Sequence, residues 1–401
     1  MTVALALVGC GGMGRRHLLG MKRLQTVGQM AFDLTAVCDV LPENGEKAAA
    51  LAEDLLGYRP QVFKTLDEMI RTVKLDAIII TTTPETHTDV GLEAFAAGLH
   101  VMAEKPITLT VAQGTQLVEA GKQAGRKLAV AENYRRDPIN RLGKALLDAG
   151  AVGRPFLMNQ ASSGAGEFVI ITPWRHLKNR GGIVIDMGVH YADILEYYLG
   201  LAEHVVGMNA VVDKQRIDAQ GEAHPADAED LSVGVARHRN GVIANWLLSM
   251  AGRGESLFAR TIYGTGGSLG IPSDRSGKAL KLVQRRGKED VVVPESELLA
   301  LVPDFALDDV TAVLFGGQRL TSYELPWADI DANLLGIEQA DFVDAILHDR
   351  EPEVSGVDGL RSLAMVFGFL ESERLGRIIT VDEVLQNPNL PYQAELNGVQ
   401  P

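Results

Sequence analysis

Three ionisable residues lie close together in Gly181-Gly182-Ile183-Val184-Ile185-Asp186-Met187-Gly188-Val189-His190-Tyr191-Ala192-Asp193. The double glycine and the apolar run after it read as the start of a helix reaching Leu199. At about 100° per residue, Asp186, His190 and Asp193 fall within roughly 60° of one another on one helical face. Tyr191, Ile194, Leu195 and Tyr198 supply the apolar remainder. Such a face suits proton transfer, because an imidazole with an ordinary pKa of ~6.5 can gain or lose a proton near neutrality. Packing would use the same residue types. Metal binding would too, with His176 as a fourth ligand, but no cysteine pair or His-Glu-x-x-His pattern accompanies them and no metal is expected.

A second chemical group is Lys105 in Glu104-Lys105-Pro106, just past a predicted strand from Leu99 to Ala103. A lysine there can hydrogen-bond a substrate hydroxyl, or it can be a solvated loop residue paired with Glu104. Its place depends on the elements before it. Val3 to Val8 is a near-continuous apolar run, as in a strand buried on both faces of a parallel sheet. It reads as that strand and not as a signal peptide, having no basic leader. It feeds Gly9-Cys10-Gly11-Gly12-Met13-Gly14 and then a helical stretch from Arg15 to Leu24. In that pattern Gly9 permits a tight turn, Gly11 lets backbone approach a pyrophosphate, and Gly14 lets helix and strand pack closely. The helix start offers N–H groups to phosphate. A second strand, Leu34 to Asp39, ends on Asp39, where an acid can accept hydrogen bonds from a ribose 2′-OH and repel a 2′-phosphate. NAD is therefore favoured over NADP, although Asp39 could instead cap the helix from Glu43 to Leu56. Further strands at 76–80 and 127–131 and helices at 86–97 and 110–124 complete a βαβ alternation, which predicts a doubly wound parallel sheet.

The second half reads differently. Strands are predicted at 156–163, 205–212, 230–237, 242–250, 257–263, 268–271, 280–284 and 291–293, several joined by short turns such as Arg239-Asn240-Gly241. The fold class is thus an α/β Rossmann-type domain followed by an α+β domain with a large, mainly antiparallel sheet. The boundary is placed at 132/133, with a cofactor domain over 1–132 and a substrate and oligomerisation domain over 133–401. Late helices at 332–348 and 359–374 are expected on the sheet or between the domains. Residues 296–328 match no pattern and are read as a lid or an oligomer arm. The proline-bearing tail from Asn387 is read as an extended arm or partly disordered. In the loop before the 183–199 helix, Trp174 could wall a sugar ring and Arg175 could donate to its hydroxyls.

Composition narrows the function. The 401 residues carry 38 Lys and Arg against 52 Asp and Glu, a formal charge of −14 at pH 7, so nucleic acid is not an expected partner. No apolar run approaches the ~20 residues that span a bilayer, so no membrane partner is expected. Two cysteines, Cys10 and Cys38, suit packing in a reducing cytoplasm rather than a disulfide framework.

Taken together, these motifs resemble the glucose–fructose oxidoreductase/inositol dehydrogenase family, often written Gfo/Idh/MocA. The likeness rests on the glycine turn at 9–14, Thr83-Pro84-Glu85-Thr86-His87, Glu104-Lys105-Pro106 and the stretch from Gly181 to Asp193, and it covers most of the chain. Two departures are Arg180 in place of the first glycine of a triplet and a loosely matching Glu132-Asn133-Tyr134-Arg135-Arg136. The resemblance implies NAD(P)-dependent oxidation or reduction of a sugar, polyol or related hydroxyl compound. It implies that Lys105 is catalytic and positions substrate, that His190 is the acid/base, and that Asp186 holds substrate or orients the pair. It also implies a cis bond at Lys105–Pro106. Gly9, Gly11, Gly12, Met13, Gly14, Asp39, Thr82, Pro84, His87, Glu104 and Lys105 would line the cofactor. Lys105, Arg135, Trp174, Arg175, Asp186 and His190 would line the substrate, while Arg135, Arg136 and Arg175 permit a carboxylated sugar. A cytoplasmic homo-oligomer, dimer or tetramer, joined through the second sheet is expected. The alternatives are a non-catalytic NAD-binding sensor and an enzyme that retains its cofactor and shuttles hydride between sugars.

Overall fold

The computed structural model describes residues 2–398. Its first half alternates β1 (Val3–Val8), α1 (Gly12–Thr26), β2 (Phe32–Cys38), α2 (Pro42–Leu56), β3 (Gln61–Phe63), α3 (Leu66–Thr72), β4 (Ala77–Ile80), α4 (Pro84–Ala96), β5 (His100–Glu104), α5 (Val111–Ala124) and β6 (Leu128–Ala131). The strands form one parallel sheet in the order β3-β2-β1-β4-β5-β6. The order reverses direction on either side of β1, which places a crevice at the carboxyl ends of β1 and β4. The central strands are apolar because both their faces are covered: β4 is wholly buried.

The second half carries α6 (Pro138–Asp148), β7 (Pro155–Ala165), α7 (Ile183–Leu199), β8 (Ala202–Ala210), the small ribbon β9 (Gln215–Ile217) and β10 (Ala223–Pro225), β11 (Leu231–His238), β12 (Ile243–Gly252), β13 (Leu257–Gly264), β14 (Gly267–Gly270), β15 (Lys281–Arg286) and β16 (Glu289–Val292). After these come α8 (Asp309–Phe315), α9 (Trp327–Leu347), α10 (Gly356–Leu375), β17 (Ile379–Thr380), α11 (Val381–Gln386) and α12 (Pro391–Leu396). Nine strands form one sheet in the order β16-β15-β14-β13-β7-β12-β11-β8-β17, antiparallel throughout except where β7 lies parallel to β12.

One face of this sheet is covered. Trp246 of β12 is buried, stacks on Phe369 of α10 at 4.8 Å between centroids, and donates its indole N–H to Ser232 at 3.0 Å. The opposite face leaves Val206, Met208, Val233, Val235, Leu257 and Tyr263 exposed, with Met208 opposite Val233 and Val206 opposite Val235 across the β8–β11 pair. Isolated exposed apolar residues are ordinary, but a contiguous face of them marks an interaction surface.

The late helices join the two sheets. α9 lies across α1 at a contact of two glycines: a Cβ on Gly20 would fall 2.9 Å from the backbone nitrogen of Gly336. α10 is buried along most of its length and packs on α7, β8, α5 and β6. It starts on a capping box in which Ser355 and Asp358 exchange hydrogen bonds.

Residues 296–328, which match no pattern in the sequence, carry a 3₁₀ turn (Glu295–Leu301) and α8 packed on α9, joined by irregular chain. One expectation is corrected: much of the tail is ordered helix. Pro391 opens α12, and the Tyr392 and Gln393 N–H groups each donate 2.9 Å bonds to the Glu371 carboxylate of α10. Residues 399–401 of the tail lie outside the described residues. Among the described residues no helix is long and apolar enough to cross a membrane.

Candidate active site

The glycine turn is shaped by contacts that leave no room for side chains on one side and open space on the other. Gly9 has φ +96° and sits against β4, where a Cβ would fall 2.6 Å from the Thr82 nitrogen. A Cβ on Gly14 would lie 2.1 Å from the Gly9 carbonyl oxygen. Gly11 and Gly12, by contrast, have nothing within 4 Å of where a Cβ would be. The turn is therefore closed toward the protein and open toward the crevice, with α1 beginning at Gly12, and this fits a dinucleotide pyrophosphate. Asp39 stands beside it, its carboxylate accepting N–H bonds from Cys10 at 2.7 Å and Leu41 at 2.8 Å. Each oxygen keeps a second lone pair, enough for a ribose hydroxyl. Burial pushes the Cys10 and Cys38 thiols up to about 12, so both are packing groups, not nucleophiles.

At the end of β4, Thr82 bonds Thr86 across the first turn of α4, which Pro84 opens. His87 is wholly buried, with Nε2 3.2 Å from the Thr82 carbonyl and Nδ1 3.1 Å from that of Pro106. Burial lowers its pKa, so the ring is a neutral brace between the β4 and β5 loops.

β5 ends at Glu104, buried, with Oε1 bonded to His17 of α1 at 2.9 Å and Oε2 accepting the Lys105 N–H at 3.0 Å. The Lys105–Pro106 bond is cis. From there the Lys105 ammonium crosses to the second half and donates to the Asp186 carbonyl at 2.9 Å and to its carboxylate at 3.0 Å.

Asp186 is placed by the turn before α7, where Gly181 and Gly182 have φ +112° and +73°. A side chain at 182 would also strike Ala228. The other Asp186 oxygen takes the Arg175 Nε–H at 3.0 Å. Burial works to raise this carboxyl, but Lys105 and Arg175 outweigh it and hold it down to about 2. One turn further on is His190. Its Nδ1 lies 2.8 Å from both oxygens of Glu132, and Tyr134 stacks on the ring at 4.1 Å and 7° between planes. A carboxylate beside Nδ1 fixes the proton there and leaves Nε2 as the basic atom. Among the described residues Nε2 makes no hydrogen bond. Burial lowers the His190 pKa against the opposing pull of Glu132, so the ring is neutral at pH 7.

Lys105, Asp186 and His190 thus converge, whereas other candidates are engaged elsewhere. Asp193 is buried and paired with Arg135 at 2.8 Å, which also lies over Tyr197. Arg136 is buried between Asp341 and Glu353 at 3.0 Å each. Arg175 lies over Trp174 at 4.6 Å, so the indole supports the guanidinium that holds Asp186. His176 is buried and accepts the Ile170 N–H at 3.0 Å, and burial lowers its pKa to about 4. Glu132 is the residue that the motifs left without a role; its signal is a carboxylate directly after an apolar strand of the parallel sheet.

Residues 3–132 match the oxidoreductase family with an NAD-binding Rossmann fold, and residues 141–270 match the GFO/IDH/MocA C-terminal domain. The chain belongs to the Gfo/Idh/MocA oxidoreductase family. Within it, the chain is 27% identical over 376 residues to a D-apiose dehydrogenase of Paraburkholderia graminis, covering 93% of this chain and 88% of that one. It is 26% identical over 276 residues to an inositol 2-dehydrogenase of Rhizobium meliloti, covering 69% and 77%. A levoglucosan dehydrogenase solved with NADH shares the fold, with a TM-score of 0.76 and 21% identity over 95% of this chain and 99% of that one. The protein is accordingly an NAD-binding oxidoreductase of this family.

Proposed function

We propose that this Gfo/Idh/MocA protein uses NAD to oxidise a secondary hydroxyl of an uncharged sugar or cyclic polyol, or to reduce the corresponding ketone. The observation that carries the reading is the meeting of Lys105 and Asp186 one helical turn from His190, whose Nε2 is left unpartnered while Glu132 occupies Nδ1. Bound NAD supplies the hydride acceptor; the residues must place the alcohol and take its proton. His190 Nε2 accepts the hydroxyl proton, and the Lys105 ammonium hydrogen-bonds the same oxygen. The ammonium also steadies the negative charge that develops there. Asp186 aims Lys105, and Arg175 aims Asp186. The three arginines that could take a carboxylate support a neutral substrate: Arg135 is paired with Asp193, Arg136 with Asp341 and Glu353, and Arg175 with Asp186, which leaves no unpaired guanidinium among them.

The test is a screen of NAD reduction across cyclic polyols, aldoses, glycosides and uronates, repeated with NADP. Turnover of neutral substrates with NAD is the expected result; turnover confined to uronates, or none with any of these classes, refutes the reading. Asp39 sets the cofactor choice in this reading. Asp39→Ser is expected to raise the NADP-to-NAD ratio of kcat/KM by at least ~10-fold, because a like charge beside the 2′-phosphate is removed.

In the same reading residues 1–132 serve the cofactor and 133–401 the substrate and assembly. The exposed sheet face is where two copies meet. A charge placed there by Val235→Glu with Met208→Glu should convert the oligomer to monomer in light scattering; an unchanged mass places the interface elsewhere.

A further inference from the structure

Glu338 lies on α9, behind the loop that carries Lys105. It is only 1% exposed, and neither carboxylate oxygen has a hydrogen-bond partner among the described residues. An ionised carboxylate in that position would have lost its water and gained no donor, at a large cost.

Its neighbours explain what it holds instead. One ligand-type atom from each of Glu338, Glu104 of β5 and His17 of α1 lies within 4.8 Å of the others. The Gln339 amide nitrogen donates to the His17 backbone carbonyl at 3.0 Å, which fixes the orientation of that amide. The same nitrogen is 3.0 Å from His17 Nδ1, so Nδ1 is an acceptor and the ring proton sits on Nε2. Nε2 in turn donates to Glu104 Oε1, while Oε2 takes the Lys105 N–H. Glu104 is therefore an ionised acceptor, and His17 has no spare lone pair to offer a metal ion. The cation on this side, Arg136, spends its N–H groups on the Glu132 carbonyl, Glu353 and Asp341. Glu132 beyond β6 and Asp331 on α9 itself add negative charge, that of Asp331 being shared with its partners Arg16 and Arg275. Burial pushes the Glu338 carboxyl well up, Glu104 and these acids add to the rise, and Arg136 opposes it.

We propose that Glu338 carries a proton at neutral pH beside the ionised Glu104, and that this neutral acid is a positioning group for the Glu104–Lys105 segment. The first part stands on the hydrogen-bond inventory alone; the second rests on the catalytic reading of Lys105. Loss of the proton would set a second negative charge against Glu104 and disturb the carboxylate that fixes the Lys105 backbone.

The test compares wild type with Glu338→Gln, a neutral group of the same shape, by thermal unfolding from pH 5 to 9 with and without EDTA or added zinc. An acid whose folded pKa is raised binds its proton more tightly folded than unfolded, so its stabilisation is lost as pH rises above the ordinary glutamate value of ~4.3. The variant lacks that loss, and its Tm relative to wild type should climb by at least ~2 °C over the range. A flat or falling difference overturns the proton. So does a zinc-induced rise or EDTA-induced fall seen in wild type and absent from the variant, which assigns a divalent cation to the three residues. Positioning is read separately, in the alkaline limb of kcat, which should move to higher pH in Glu338→Gln. If the Tm difference climbs but the limb stays, the positioning role is wrong while the substrate screen still decides the reaction.

Discussion

Replacing His190 with alanine is expected to lower kcat by at least ~10²-fold, and Lys105→Ala by a similar factor, because each removes a group that acts on the reacting oxygen. The two losses should not multiply. In Lys105→Ala the base no longer faces an alcohol held by its donor, and in His190→Ala the donor holds an alcohol that has no base. The double variant should therefore fall little below the worse single one. Neither change should abolish folding. Without the ammonium, Asp186 keeps Arg175 at 3.0 Å, and without the imidazole, Glu132 keeps the Tyr134 N–H at 3.0 Å. Steady-state kinetics on a substrate found in the NAD screen, with circular dichroism to confirm the fold, make the measurement. Near-normal kcat in both single variants removes the acid/base assignment.

What was legible in the sequence divides along the range of the interactions. The parallel sheet could be read because β1 and β4 are short apolar runs and the glycine turn follows the first of them. Each of those signals lies within a few adjacent residues. The α7 face could be read because Asp186 and His190 are one turn apart on a single helix. Long-range pairs left no such trace. Glu132 and His190 are separated by 58 residues and meet only because β6 ends beside α7. Glu338 reaches Glu104 only because α9 returns to pack on α1. The tail misled for a related reason. Pro388 and Pro391 suggested an extended arm, but Pro391 is tolerated at a helix start, and the first free N–H groups of α12 are met by Glu371 on a distant helix. Arg135 and Arg175 were legible as residues that could face a substrate. Their partners, Asp193 and Asp186, became visible only in three dimensions.

Glu132→Gln is expected to cut kcat by ~10² to 10⁴-fold, by analogy with the loss of the carboxylate behind a histidine base in a hydrolase triad. An ionised Glu132 accepts from Nδ1–H and so leaves the lone pair on Nε2, facing the substrate. A glutamine can turn its NH₂ toward Nδ1, which puts the proton on Nε2 and blocks the base. The pH profile separates this from a simple loss of packing. His190 must be neutral to accept a proton, so activity falls as pH drops through its folded pKa, which burial holds below the ordinary ~6.5. Glu132 is the group that opposes burial by favouring the charged imidazole. With a neutral amide in its place, burial acts unopposed, and the acid limb of kcat should move to still lower pH while the plateau falls. Glu132→Asp keeps the charge at a shorter reach and should recover part of the plateau. A purely structural role for Glu132 predicts a lower Tm with the acid limb unmoved, and that result would detach Glu132 from the base it touches.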